Sequence, residues 1–183
     1  MTSRRDRRAA RRTPYLAIGA VVVAVLLVGV VVAVRLLDDG GSEPVPGALD
    51  AALARSSPAT APFEGLTEVE LLLDGECRRV VVADDDAERA SGLRGIPDPG
   101  PYAGMLFVYP EPKVATFTMA GVTFPLEIGF YDPDGDPVHR THMVPCDESI
   151  SECPGYSSEG EMLYALETYD GDSPAGALGG CPA

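Results

Sequence analysis

Thr67-Glu68-Val69-Glu70-Leu71-Leu72-Leu73-Asp74-Gly75-Glu76-Cys77-Arg78-Arg79-Val80-Val81-Val82-Ala83 is the stretch that decides the fold class. Two runs rich in Leu and Val flank Asp74-Gly75, a dipeptide that supplies the positive φ values a two-residue hairpin turn requires. The reading is a β-hairpin of Thr67–Leu73 and Cys77–Ala83. Downstream, Asp84-Asp85-Asp86 precedes Ala87–Leu93; acids at a helix start satisfy free N–H groups and oppose the dipole, so one short helix is expected. Gly104–Tyr109, Ala115–Met119, Leu126–Tyr131, Val138–Val144 and Glu161–Thr168 then read as strands, with Asp132-Pro133-Asp134-Gly135-Asp136 as a turn. The expectation over residues 66–183 is a mainly β domain, a compact antiparallel barrel or sandwich with one short helix.

Upstream the character changes twice. Residues 38–65 hold Pro44, Pro46, Pro58 and Pro62 with no sustained apolar period, and read as a flexible linker. Within it, Ala48–Ala54 has the makings of about two helical turns, too short to stand alone. Leu16–Val34 is a run of 19 residues without a polar side chain. As a helix it would span about 28 Å, the thickness of a bilayer's hydrocarbon layer, so a single transmembrane helix is expected over residues 16–37. Residues 1–15 carry six arginines against one acid, whereas Leu36 onward has 27 acids against seven basic residues. The positive-inside rule places such a tail in the cytoplasm and the acidic body outside the cell membrane. Ala33-Val34-Arg35 matches a signal-peptidase site poorly, so the span is read as an uncleaved signal anchor. The membrane is thus the expected partner, and a formal charge of -14 argues against nucleic acid.

Cys77, Cys146, Cys153 and Cys181 all fall in the body expected to be extracytoplasmic, where disulfides persist. Four cysteines allow three connectivities, and the expected one is Cys146 with Cys153 and Cys77 with Cys181. A zinc site using His139 or His142 is the weaker reading, because no close Cys-x-x-Cys pair exists.

Val82-Ala83-Asp84, Glu88-Arg89-Ala90-Ser91-Gly92-Leu93, Gly104-Met105-Leu106-Phe107-Val108-Tyr109, Phe117-Thr118-Met119, Pro125-Leu126-Glu127-Ile128-Gly129-Phe130 and Tyr164-Ala165-Leu166-Glu167 occur in this order. Together they resemble the DUF192 family of uncharacterised bacterial and archaeal proteins. The resemblance implies a compact, mainly antiparallel β domain, often exported, without an established activity. It also marks departures. Thr118-Met119-Ala120-Gly121-Val122 stands where the family has Trp-Met-Lys-Asn-Thr, and Glu127 stands where it has Asp.

Candidate chemistry is sparse. His139 and His142, three apart on a strand, fall on opposite faces and cannot act as one unit without a bulge. Asp132, Asp134 and Asp136 alternate as calcium ligands can, but Pro137 and Met143 occupy the loop's glycine and glutamate places, which favours a plain turn. Met105, Met119 and Met143 near His142 would suit Cu(I), although methionine more often fills a core. No metal or other cofactor is expected. Glu127 interrupts an apolar strand, and Met105, Met119 and Glu127 are the candidate binding residues, lining a shallow pocket. The expected role is a non-catalytic binding or interaction module of the cell envelope. The alternative is a carboxylate-assisted hydrolase or transferase acting on envelope glycan, with Glu127 as its acid or base.

Overall fold

The computed structural model describes residues 47–169 and 176–182. The expected tail and membrane span, and residues 38–46 of the expected linker, lie outside the described residues. Among the described residues no helix is long and apolar enough to cross a membrane.

The chain runs through α1 (Ala48–Leu53), β1 (Ser57–Pro58), β2 (Thr67–Leu73), β3 (Glu76–Ala83), α2 (Asp86–Ser91), β4 (Gly104–Lys113), β5 (Thr116–Thr118), β6 (Leu126–Tyr131), β7 (Pro137–Met143), β8 (Gly155–Ser157), β9 (Met162–Tyr169) and β10 (Gly179–Gly180). The β2–β3 turn is the one its sequence specifies, with φ of 50° at Asp74 and 84° at Gly75. The main sheet has the order β1-β2-β3-β4-β9-β6-β7, and β10 pairs with β2 beyond the short β1 pairing. β5 and β8 form a separate two-stranded ribbon.

The main sheet is open rather than closed into a barrel, and its two faces are each covered, which leaves β7 as an edge. The sheet is also not purely antiparallel. Val80–Ala83 of β3 pairs in parallel with Gly104–Phe107 of β4. A parallel pair cannot be joined by a tight turn, so residues 84–103 must cross over, and they do so through α2. That helix starts with a capping box: Asp85 Oδ1 accepts from the Glu88 N–H at 2.8 Å, and Glu88 Oε2 accepts from the Asp85 N–H at 3.3 Å.

The helices number two among the described residues, where one was expected, because part of the segment read as linker packs onto the sheet. Leu49 and Ala52 of α1 bury against Val69, Leu71 and Leu178 on one face. Ala59 and Phe63 bury on the other, where Phe63 meets Tyr102 edge-on at 5.5 Å. Apolar area from neighbouring strands supplies the stabilisation that a six-residue helix lacks by itself. Both cysteine pairs form: Cys77–Cys181 ties β3 to the residue after β10, and Cys146–Cys153 closes a small loop.

The sheet separates two apolar clusters. Val81, Ala83, Met105, Phe107, Ile128 and Phe130 point to one side, Val80, Val82, Leu106, Tyr131 and Leu166 to the other. Alternation explains why Val80–Ala83 is buried throughout, since each face is covered.

Candidate functional site

β9 is an interior strand between β4 and β6. Glu167 sits opposite Met105 on β4 and Ile128 on β6, so its carboxyl points to the face where those two side chains are fully buried. Above that face the chain leaving α2 turns sharply. Gly92, at φ 50°, lies beside the Phe107 ring, which an added Cβ would meet at an ordinary contact distance of 3.5 Å. The following segment is tied down by Gly95 N–H donating to Gly121 O at 3.0 Å, with the Arg94 stem against Gly121. Between this cover and the sheet lies a cavity of about 230 Å³ whose lining includes Arg89, Arg94, Tyr109, Phe117, Thr118 and Glu167.

Glu167 is only 5% exposed, and its side chain lines the cavity. Burial pushes its carboxyl from 4.5 up to about 8, an effect the Arg94 charge partly offsets. Glu167 is therefore mostly protonated at neutral pH, a neutral group with one O–H to donate. The two arginines differ. Arg89 is committed, donating from Nη1 to Val108 O at 2.7 Å and to Asp84 O, pairing through Nη2 with Asp86 at 2.6 Å, and lying 5.1 Å from the Tyr109 ring centre. Arg94 is exposed, with no ion pair or hydrogen bond among the described residues. Beside the cavity, burial also pushes the Tyr169 hydroxyl up, reinforced by Glu167 and Asp98, and that hydroxyl is buried without a partner.

The residues singled out from the sequence fall elsewhere. Glu127 shares the opposite face with Thr168, its partner on β9, and its Oε1 lies 2.8 Å from His142 Nδ1 on β7. Met105 and Met119 are buried in the core and do not line the cavity. The three candidate binding residues are thus not brought together. His139 and His142 do lie on opposite faces, the first stacked on Phe130 at 6.2 Å and 3.6 Å from Glu159. Asp132 Oδ1 accepts the Asp134 and Asp136 N–H groups, each at 2.9 Å, so this acid stabilises its own turn. Among the described residues no group of three His, Cys, Asp or Glu side chains is placed to hold a metal ion.

A second cleft of about 400 Å³ lies by α1, β2 and Pro182, and two of its charged side chains, Arg55 and Glu68, are already engaged. Arg55 donates to Cys181 O at 3.4 Å, and Glu68 takes the Tyr102 hydroxyl at 2.5 Å and Arg79 at 3.4 Å. Among the described residues the one buried acid is Glu167, which the sequence reading passed over. The available signal was the same one that drew attention to Glu127, an acid inside an apolar strand.

The model of the DUF192 family, described as Uncharacterized ACR, matches residues 69–175. A solved structure of a protein of unknown function from Novosphingobium aromaticivorans DSM 12444 is similar, with a TM-score of 0.55 and 27% identity, covering 69% of this chain and 95% of that one. A second, described as "a putative transcription regulator" from Sinorhizobium meliloti 1021, has a TM-score of 0.50 and 27% identity, covering 62% of this chain and 92% of that one. No curated protein matches the chain.

Proposed function

We propose, from the premise that this chain belongs to the DUF192 family, that it is a membrane-tethered binding module of the cell envelope whose Glu167 cavity receives a small ligand. One observation carries the ligand-binding reading: an acid only 5% exposed whose side chain lines a cavity beside Arg94. The tether rests on the 19-residue apolar run and the switch from basic tail to acidic body. The paired cysteines suit an oxidising compartment. Binding is favoured over glycan hydrolysis because Glu127 is hydrogen-bonded to a histidine rather than poised against a second carboxylate.

Thr118→Trp, which puts a large ring at the cavity wall, tests the binding role. Ligand-observed NMR with a panel of fragments of up to about ten heavy atoms should show contacts with the parent chain that the variant loses. Contacts equally strong in the variant, or none with the parent, would remove the cavity from the account. For the tether, external protease added to intact cells should digest the body, and a fully protected body would reverse the topology.

A further inference from the structure

Resting on the ligand-binding reading above, we infer that the cavity takes a small organic carboxylate, held by the Arg94 guanidinium and the Glu167 side chain that line it. Charge is the first argument. A body with 27 acids and seven basic residues has placed two of those basic residues, Arg89 and Arg94, around a cavity whose acid faces them. With Glu167 neutral, the lining is net positive. An incoming cation would meet the Arg94 guanidinium and, at Arg89, a guanidinium already paired with Asp86.

Hydrogen-bonding capacity is the second argument. Arg89 has its guanidinium fixed by Val108, Asp84 and Asp86, and the Asp86 carboxylate meets its charge. Arg94 and Glu167 retain their donors. A carboxylate has two oxygens and about four lone-pair sites, enough to accept from a guanidinium and a carboxylic O–H together. The walls argue for an organic body on that anion, because Phe107 and Phe117 meet edge-on at 5.1 Å and Val122 joins them. The volume of about 230 Å³ corresponds to about eight waters, room for a molecule of about ten non-hydrogen atoms.

The same arrangement makes binding sensitive to pH. The charged and titratable groups near Glu167 are Arg94 and Arg89 from the cover, Tyr109 from β4, and Tyr169 from its own strand with Asp98 beyond it. Ionisation of Glu167 removes the donor and sets a negative charge against the ligand, so affinity falls as the pH rises through about 8.

Calorimetry on the full chain with benzoate, benzamide and benzylamine separates the possibilities. At about pH 6, benzoate should bind at least about tenfold more tightly than either of the others, and Arg94→Gln should weaken benzoate by at least about tenfold while leaving benzamide unchanged. Benzoate affinity should fall about tenfold or more by about pH 9 in the parent, and much less in Glu167→Gln. Benzamide or benzylamine binding as tightly as benzoate, or an Arg94→Gln chain that binds benzoate undiminished, would overturn the carboxylate while leaving a ligand-binding cavity. Failure of all three probes to bind would overturn both.

Discussion

Glu167→Gln removes a large part of the pH dependence of folding stability between about pH 4.5 and about pH 8. Burial raises the Glu167 carboxyl above its ordinary value, so the native state holds this proton more tightly than the unfolded chain does. The stability linked to that proton is fully present below about 4.5 and is lost as the pH rises through about 8. A shift of this size corresponds to at most about 5 kcal/mol, because each pKa unit is about 1.4 kcal/mol. Glutamine keeps the shape and cannot ionise. Urea unfolding of parent and variant should therefore give similar stabilities near about pH 4 and a variant more stable by several kcal/mol near about pH 9. Parallel stability curves for the two chains across that range would show that Glu167 ionises as easily in the folded chain as outside it.

Gly104→Ala should be the most damaging conservative change near the site. Gly104 opens β4 opposite Thr168, and a Cβ there would lie 2.0 Å from the Glu167 carbonyl oxygen. The obstacle is backbone, which no side-chain rotation relieves. To admit one methyl group, β4 and β9 would have to separate where the antiparallel ladder joins the parallel β3–β4 pair. Overpacking a core costs about 1–3 kcal/mol when side chains adjust, and a backbone clash belongs at or above the top of that range. Chemical denaturation should show a loss of about 3 kcal/mol or more. A Gly104→Ala chain within about 0.5 kcal/mol of the parent would mean that the strands are not so closely apposed.

What the sequence made legible is whatever short-range chemistry determines. Asp74-Gly75 can be read as a turn because its backbone requirement is local, and Asp85 as a cap because its partner Glu88 is three residues away. Leu126–Tyr131 is bounded by Pro125 and by the Asp132 turn, and its observed limits coincide with the expected ones. The parallel β3–β4 pairing leaves no such mark. Val80–Ala83 reads as apolar whichever strand lies beside it, and its partner lies some twenty residues downstream. Residues 47–65 read as tether because their buried side chains, Leu49, Ala52, Ala59 and Phe63, follow no period and are interleaved with prolines.

The site shows the same limit. Glu127 and Glu167 both interrupt apolar strands, and alternation assigns each a face without saying what covers it. β6 and β9 are both flanked on two sides, but Glu127 points to the face where it reaches His142 and stays partly exposed, whereas Glu167 points to the face roofed by the segment after α2. That roof also brings Arg94 to Glu167 from 73 positions earlier in the chain. The family resemblance included Tyr164-Ala165-Leu166-Glu167 as a strand, but only the fold shows that the acid closing this run is sealed inside.

The most direct test of the account is a carbon-detected NMR titration of the Glu167 side-chain carboxyl in the full chain, with Glu167→Gln used to assign the resonance. A midpoint near about 8, moving higher still when Arg94→Gln removes the offsetting charge, is the predicted result. A midpoint near 4.5 that ignores Arg94 would contradict it, because the cavity would then hold an ordinary solvated carboxylate.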